Sequence, residues 1–514
     1  MRSDLAKGSI SGAIQAVITT LLVLCAVPLF VRLRGDEAFG LYSLIALVGS
    51  VNSFANLGLN VALVRFLSEQ GKSIESDTDI LVTMVILTVA IVPLTVAGFL
   101  FEDAALRTIL NVPEHLWGDA LWLYRGGLVS NVFVLLGGTF TAVLDAQGRV
   151  HVTNMLQIVY TVLYWGAIMI VLVADLPLSV IGGTTVAVTL IWFVGVGAGM
   201  LRVWGFPSTG GMIGLGMQRA RRQLGYGAHL FTAGAISFFF EPLTKLLLAH
   251  FLGLREVGIF DIGMRARNQV SSLVGKVMYP LYPLFARTTD PVPLRMLVSD
   301  IEQKSAFIVA PLPGLAMIAT PLAVSLLLGP GRTEITMTIV WMVSVYLLMS
   351  CTVTPMYIFL MARGHAARTV LVQTMNVIGN GIAIVLTFPW LGYGAVIAGA
   401  VASSAASCSL LLIYQKRFVG APVFDGWSHR WAFSIVLAWG IGIGALCSWI
   451  GPTIPGAIAG GLVIVAGSVF VYRFFGAFAT RDIERYLGKT TSISRLATWL
   501  LCPIPGSAVE PEGR

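Results

Sequence analysis

Long apolar stretches, each followed by a short polar connection, succeed one another along almost the whole chain. A helix that crosses a bilayer needs about 20 apolar residues, and no stretch alternates as a membrane β-strand does. The pattern therefore predicts an all-α polytopic membrane protein with about 14 transmembrane helices. The predicted spans are 10–31, 39–60, 80–101, 119–142, 152–174, 180–201, 228–250, 258–280, 305–328, 335–360, 368–388, 393–414, 431–450 and 456–474.

The basic residues between the spans predict the orientation. Of the 33 lysines and arginines, 23 lie in the terminal segments and in every second connection, and five lie in the opposite set. Since cytoplasmic loops carry an excess of Lys and Arg, both termini are expected in the cytoplasm. The longest connection, 202–227, contains "MQRARRQLG" and predicts a basic helix lying on anionic lipid headgroups.

Composition excludes several classes of protein. Only 11% of the residues are charged and the mean hydropathy is +0.85, whereas soluble domains have roughly 25% charged residues. The net charge of +8 is mostly a topology signal, so no nucleic-acid partner is expected. The five cysteines form no CxxC pair, and no catalytic or phosphate-loop motif occurs. We therefore expect a protein that is not an enzyme and has no metal and no cofactor.

The chain resembles itself at an offset of about 217 residues. In "RGDEAFGLYSLI" (34–45) and "LGLREVGIFDIGM" (252–264), Gly35 aligns with Gly253 and Gly40 with Gly258. Two six-helix lobes of the same orientation, related by an axis along the membrane normal, would leave a central cleft for a substrate. The predicted domains are an N-lobe at 1–201, a cytoplasmic basic linker at 202–227, a C-lobe at 228–414, two extra helices at 415–475, and an interfacial segment with a disordered tail at 476–514.

Charged residues interrupt two of the predicted spans. Glu241 and Lys245 lie one helical turn apart within "ISFFFEPLTKLLLAHFLG" (236–253). A charge at the bilayer centre costs about 2.5–3.5 kcal/mol on the insertion scale. The pair is therefore expected either to neutralise itself or to line a wet cleft. The cleft hypothesis is favoured because the next predicted span, 258–280, is charged too.

That next span carries a polar stripe. Its steps of three and four residues place the members within roughly an 80° wedge of one helix face, and their net charge is positive. Such a stripe predicts a cavity lining, while Arg267 points away from it. The stripe consists of Asp261, Arg265, Asn268, Ser272 and Lys276.

Other polar residues inside the spans are candidates for substrate binding or for hydrogen bonds between helices. They are Arg125, which could instead extend outward to the membrane surface, Asn52, Asn56 and Asn60 at spacings of four, Gln157 with Tyr160 and Tyr164, and Gln373 with Asn376 and Asn380.

The segment "RGDEAFGLYSLIALVGSVNSFANLGLNVALVRFLSEQGK" (34–72) resembles the opening of the polysaccharide (Wzx-type) flippase family, of the multidrug/oligosaccharidyl-lipid/polysaccharide (MOP) exporter superfamily. The resemblance covers about 1–475 and includes the helix count and the duplicated halves. The matching positions are Gly40, Tyr42, Leu57, Gly58, Leu59, Arg65, Ser68 and Glu69.

The resemblance implies translocation of an undecaprenyl-diphosphate-linked oligosaccharide across the bacterial inner membrane, by alternating access, for surface polysaccharide export. Its partners would be that substrate, membrane lipids and other polysaccharide assembly proteins. Lys245, Arg265 and Lys276 suit an anionic diphosphate, while Glu241 and Asp261 suit a coupling role. Lipid II flipping and multidrug or cation antiport stay open as alternatives. A membrane polysaccharide polymerase or ligase is disfavoured, because no large extracytoplasmic loop is predicted.

Overall fold

A computed structural model describes residues 2–56, 58–211, 214–225, 236, 239–278, 291–363, 365–420, 427–478 and 502. Within these ranges the regular elements are helices, and no strand occurs. Contacts divide the chain into two compact units, Met1–Asp261 and Ile262–Arg514.

The first unit contains the following helices: α1 (Arg2–Ala55), α2 (Leu59–Gln70), α3 (Ile74–Leu100), α4 (Trp117–Ala146), α5 (Val150–Val173), α6 (Ser179–Val203), α7 (214–225), α8 (Phe240–Phe251) and the start of α9 (Leu254–Met278). Helix α4 is the central element of this unit, because it packs against α1, α2, α3 and α6. Helix α5 packs against α1 and α6.

The second unit contains the rest of α9 and these helices: α10 (Pro291–Val309), α11 (Leu312–Leu328), α12 (Thr333–Ala362), α13 (Ala366–Leu391), α14 (Gly394–Phe418), α15 (Trp427–Ile450) and α16 (Ile454–Phe474). Helices α13 and α14 form one antiparallel pair, and α12 packs against α14. The last two helices, α15 and α16, pack against α11.

The helices bear out a multi-pass membrane protein. Ten helical segments are long and apolar enough to cross a membrane, or eleven if the bent pair within α12 counts as one span, among the residues described. The predicted fourteen is therefore not reached in this part of the chain. Predicted spans 10–31 and 39–60 both lie within α1, where non-helical angles at Gly35 separate two helices that count as one of the ten segments, and only Phe240–Phe251 of span 228–250 is a described helix. Helix α9 is also not among the ten, because charged side chains interrupt its apolar sequence.

Two predicted spans are broken. The predicted span 39–60 ends at Ala55, and α2 starts after Gly58, whose φ of 71° lies in the left-handed region that favours glycine. Helix α2 lies mostly in the connection between predicted spans 39–60 and 80–101, and it is not among the helices long and apolar enough to cross a membrane. The predicted span 305–328 is divided at Pro311 between α10 and α11, since proline has no N–H with which to continue a helix.

The predicted linker contains helix α7, whose buried side chains Arg219 and Gln223 bind the start of α3. Its contact with lipid headgroups stays a prediction. Nε2 of Gln223 donates to Oδ1 of Asp79 at 3.0 Å, and Arg219 forms ion pairs with Asp79 and Glu75. Asp79 is fully buried, so this polar contact fixes α7 to the first unit. The predicted interfacial tail after 478 lies outside the described residues, except for Cys502.

The repeat that the sequence predicts is visible in matched backbone features. Gly35 interrupts α1 with φ 82°, and its counterpart Gly253 separates α8 from α9 with φ 113°. Five residues later, Gly40 and Gly258 contact each other inside the first unit. The amide nitrogen of Gly258 lies so close that a Cβ at Gly40 would be 3.1 Å from it and 1.7 Å from the carbonyl oxygen of Leu254. The two repeat sequences therefore meet at a backbone crossing that has no room for a side chain.

Replacing Gly40 by alanine should lower the free energy of unfolding by about 1–3 kcal/mol, because backbone atoms must move to admit the methyl group. The matched control is Gly183→Ala in α6, where a Cβ would meet nothing within 4 Å. There the substitution should be neutral or should stabilise by about 0.5–1 kcal/mol through helix propensity. Unfolding of the detergent-purified variants measures both values. Equal stability of the two variants would contradict the proposed crossing.

Candidate functional site

Glu241, Lys245 and Asp261 form a charged cluster between α8 and α9 in the first unit, called here the Lys245 cluster. Nζ of Lys245 lies 2.8 Å from Oε1 of Glu241 and 2.6 Å from Oδ1 of Asp261. The side chains of Lys245 and Asp261 are each 4% exposed, whereas that of Glu241 is 31% exposed. The pair predicted on α8 is thus extended by a carboxylate from the following helix.

The local sequence explains how these groups meet. Spacing of four residues places Glu241 and Lys245 on one face of α8. The turn at Gly253 then reverses the chain into α9, which brings Asp261 to the same lysine. Nδ2 of Asn111 donates to the carbonyl of Ala249 at 3.2 Å, and this contact holds the end of α8.

The cluster has a formal charge of −1, since two carboxylates surround one ammonium group. Lys245 is therefore neutralised in this structure, and by itself it does not form the cationic site expected for an anionic substrate. Glu241 is the more exposed carboxylate, so a ligand or water reaches it more easily than Asp261. The arrangement can exchange Glu241 for another anion while Asp261 continues to hold the ammonium group.

The polar stripe on α9 passes from buried to exposed positions. Asp261 is buried, Arg265 is half-buried, and Asn268 and Ser272 are exposed. The side chain of Lys276 lies outside the described residues. Arg265 also has interaction partners in the described structure.

The other face of α9 packs within the second unit. Ala266, Val270 and Val274 contact an apolar cluster contributed by α10 and α12. Arg267 likewise lies off the stripe, with its guanidinium 5.5 Å from the ring centre of Tyr346. The apolar face and the polar stripe are therefore separate, as the helical spacing predicts.

Arg125 has a structural partner that the sequence analysis did not identify. Its Nε and Nη2 donate to the two carboxylate oxygens of Glu102 at 2.9 and 2.6 Å. Hydrogen bonds from this guanidinium hold the pKa of Glu102 below its usual range. Glu102 follows the end of α3, so the ion pair connects α3 to α4.

The asparagine series does not share one continuous helical face. Asn56 lies in the break between α1 and α2, where its Oδ1 accepts a hydrogen bond from the backbone N–H of Asn60 at 3.2 Å. Asn60 packs beside Gly138 of α4. A Cβ added at Gly138 would lie 2.4 Å from Nδ2 of Asn60. The side chain of Asn52 lies outside the described residues. The prediction that these asparagines share one helix face was wrong, because α1 ends at Ala55 and α2 begins only at Leu59.

Aromatic residues surround the predicted polar face of α5. The hydroxyl groups of Tyr42 and Tyr164 are 2.8 Å apart, and the ring of Tyr160 stacks on Tyr164 with centroids 5.8 Å apart. Gln157 is half-buried one turn away. Tyr42 belongs to the motif that carries the family resemblance, and its hydroxyl group links α1 to α5.

The corresponding face of α13 joins two helices. Nδ2 of Asn376 donates to the hydroxyl oxygen of Ser407 on α14 at 3.1 Å. Asn380 is buried against the same helix beside Gly399, and Gln373 is half-buried. Of the two roles considered for Asn376, substrate binding and a hydrogen bond between helices, the structure contains the hydrogen bond between helices.

Two buried polar contacts escaped the sequence analysis. They are the Asp79 contact with α7 and a contact between Glu302 and Gln415. Both acids lie a few residues before a predicted span, so they were assigned to connections. No group of three or more His, Cys, Asp or Glu that could hold a metal ion occurs in the described ranges.

Lys245→Met should destabilise the protein by about 3–5 kcal/mol, because it removes the ammonium group that the buried Asp261 carboxylate contacts at 2.6 Å. Adding Asp261→Asn should recover most of that loss, since no uncompensated buried charge remains. Glu241→Gln, the control, should cost about 1 kcal/mol or less, as this carboxylate is partly exposed. Chemical unfolding of these three variants and of Asp261→Asn alone measures the coupling. Additive effects of the two buried substitutions would show that Lys245 and Asp261 do not depend on each other.

Comparisons with known proteins agree with the helical architecture. The solved structure of the lipid II flippase MurJ in an inward closed conformation matches with a TM-score of 0.67 and 12% identity, over 92% of this chain and 99% of that one. An inward-facing multidrug resistance MATE family transporter of the MOP superfamily matches with a TM-score of 0.59 and 13% identity, over 80% and 98%. At such identities the likeness concerns the fold.

Sequence comparison identifies the family. The family model described as "Polysaccharide biosynthesis protein" matches residues 5–289, which is more than half of the chain. A search of curated proteins gives no match. The chain therefore belongs to the polysaccharide biosynthesis protein family.

Proposed function

We propose that this protein is a flippase for an undecaprenyl-diphosphate-linked oligosaccharide in the bacterial inner membrane. One observation carries the proposal: the polysaccharide biosynthesis family model covers residues 5–289, which include the Lys245 cluster and the whole α9 stripe. Both termini would lie in the cytoplasm, in accordance with the distribution of basic residues. The protein would act as a transporter and not as an enzyme.

Translocation would proceed by alternating access between lobes 1–201 and 228–414. In this proposal the diphosphate binds the cationic part of the α9 stripe, at Arg265 and Lys276. A guanidinium binds phosphate oxygens through two parallel hydrogen bonds, and these are strong where water is scarce. The exposed side chains of Asn268 and Ser272 would hydrogen bond to sugar hydroxyl groups.

The Lys245 cluster would connect substrate binding to coupling. A substrate phosphate would replace Glu241 at the Lys245 ammonium group, while Asp261 remains in place. The exposure of Glu241 supports this exchange. A carboxylate that loses its cation in an apolar setting readily takes up a proton. Glu241 and Asp261 are thus proposed as coupling residues, with Glu241 as the one that titrates.

The remaining candidates have different proposed roles. Gln157 and Gln373 are half-buried and are proposed as sugar contacts. Arg125, Asn56 and Asn376 have structural partners, so they would support the binding helices instead. Membrane lipids and other polysaccharide assembly proteins are the proposed partners.

Cation or multidrug export is the second candidate function. The specific observation in its favour is the formal charge of −1 on the Lys245 cluster, since an acidic site attracts cations. Lipid II flipping is a variant of the first candidate and shares its diphosphate chemistry. The fold is similar to those of a lipid II flippase and a multidrug transporter, so the fold is compatible with each of these candidate functions.

Reconstitution into vesicles distinguishes these substrates. Purified protein should move a fluorescent undecaprenyl-diphosphate oligosaccharide between leaflets faster than it moves lipid II, and should not export a cationic dye. Arg265→Ala should slow flipping about tenfold to hundredfold, because a hydrogen bond to a charged group contributes about 1.5–3 kcal/mol. The matched control is Arg255→Ala on the same helix, whose guanidinium is exposed and paired with Glu256.

The result that contradicts the proposal is equally specific. Export of the dye with no flipping of either lipid would favour the second candidate function. Equal loss of flipping in both arginine variants would mean that Arg265 has no particular role in binding.

The α9 stripe should face water during the transport cycle. In a background without native cysteines, Asn268→Cys and Ser272→Cys should react with a membrane-impermeant thiol reagent in purified protein. Val270→Cys and Val274→Cys should react at least about tenfold more slowly, because these positions pack against α10 and α12. Similar labelling rates at all four positions would remove the argument for a polar lining.

A further inference from the structure

Glu302 on α10 and Gln415 on α14 form a buried polar contact in the second unit, away from the residues assigned to the proposed transport site. The side chain of Glu302 is 0% exposed and that of Gln415 is 2% exposed. Nε2 of Gln415 donates a hydrogen bond to Oε2 of Glu302. The contact joins two helices through one carboxyl group and one amide group.

The other oxygen of each side chain has no hydrogen-bond partner. Oε1 of Glu302 and Oε1 of Gln415 are both buried, and no described group donates to either. A carboxylate and an amide oxygen can only accept hydrogen bonds, so neither can satisfy the other. Two unsatisfied acceptors in one contact are unusual, because buried polar groups are nearly always paired.

Glu302 lies next to an apolar cluster to which α10 contributes. Val298 and Ile301 of α10 pack with Met356, Phe359 and Leu411 in one buried cluster. An ionised carboxylate in such a place needs a cation nearby to offset its lost hydration.

No described cation forms an ion pair with Glu302. Lys304 on the same helix pairs with Asp300, Lys416 and Arg417 are exposed on α14, and Arg368 of α13 lies over the ring of Phe418 at 4.0 Å. Other titratable groups on the helices that pack here are Arg295, Glu334, Tyr346, Tyr357, Arg363, His365, Cys408, Tyr414, His429 and Arg430. None of these is hydrogen bonded to Glu302 in the described structure.

We propose that Glu302 and Gln415 form a neutral acid–amide pair that binds one proton. The proton, taken from water, resides on Oε1 of Glu302 and is donated to Oε1 of Gln415. Nε2 of Gln415 donates in return to Oε2 of Glu302. One proton thus satisfies both unpartnered oxygens and removes the buried negative charge.

This site goes beyond the proposed function, because its ligand is a proton and its residues are not those proposed to bind substrate. An acid that is neutral while buried ionises when it becomes exposed to water at neutral pH. Any conformational change that opened the contact between α10 and α14 would therefore release one proton.

Infrared difference spectroscopy tests the proposal on the whole protein at neutral pH. The spectrum of the wild type minus that of Glu302→Gln should contain the C=O stretch of a carboxylic acid, shifted on transfer to deuterated water. Glu241→Gln is the matched control, because Glu241 is paired with Lys245. Its difference spectrum should contain carboxylate bands only. If the difference spectrum of the wild type minus Glu302→Gln contained a carboxylate band and no carboxylic-acid band, the proposal would be overturned.

Stability against pH gives a second measurement. An exposed glutamate ionises above about pH 4.3, so unfolding of the wild type at neutral pH would release the proton. Since the folded state then binds more protons, its stability must fall as pH rises. In Glu302→Gln the amide keeps both hydrogen bonds without titrating. The unfolding midpoint of the wild type should therefore fall relative to that of the variant between pH 5 and pH 8.

Parallel pH profiles of the two proteins would contradict a bound proton. If Glu302→Gln did not fold, the infrared spectrum of the wild type alone would test the proposal. Absence of a carboxylic-acid band from its spectrum at neutral pH would overturn the proposal. Neither measurement depends on transport, so failure of the proposed flippase function would leave this test unaffected.

Discussion

Lys245 lies between two carboxylates because an isolated charge among apolar helices is costly. The same constraint governs the other buried charges of this protein. Arg125 is paired with Glu102, and Asp79 is paired with Arg219 of α7. Within the described ranges Glu302 has an amide as its hydrogen-bond partner, and the proposed proton would neutralise it. Each charge that interrupts the apolar sequence thus determines which helices must be neighbours.

The glycines make the central ion pairs geometrically possible. Gly253 takes a positive φ that other residues rarely adopt, and this turn brings Asp261 of α9 to Lys245 of α8. The crossing of Gly40 and Gly258 then allows the two repeat sequences to approach at backbone distance. Backbone shape and charge neutralisation therefore act together, since a side chain at the crossing would displace the helix that carries Asp261.

Function and fold are supported by different observations. The family match indicates polysaccharide biosynthesis, while the neighbours of known structure support a fold shared by a lipid flippase and multidrug transporters. The Lys245 cluster has a formal charge of −1, and the cationic residues proposed for substrate lie farther along α9. In the proposed mechanism the acidic and basic parts would have separate tasks: Glu241 and Asp261 would hold the lysine, and Arg265 and Lys276 would bind phosphate.

The sequence by itself determined the helical class, most helix positions and the separation of polar and apolar faces on α9. These properties depend on local periodicity, which the order of residues contains directly. The sequence also indicated the repeat and the pair of Glu241 with Lys245, because residues four apart share a helix face. It misplaced the asparagine series, since Gly58 ends the helix through a backbone angle that apolar periodicity does not reveal.

Only the tertiary structure decided the partners of the charged groups. Glu102 and Arg125 are 23 residues apart, and Glu302 and Gln415 are 113 apart. Helical periodicity relates residues within one element and contains no information about which elements pack together. Asp261 appeared in the sequence as part of a cavity-lining stripe, and the fold instead made it the buried partner of Lys245. Choosing one partner among many possible ones requires the three-dimensional packing of helices, because burial and distance together fix the energy of a charge.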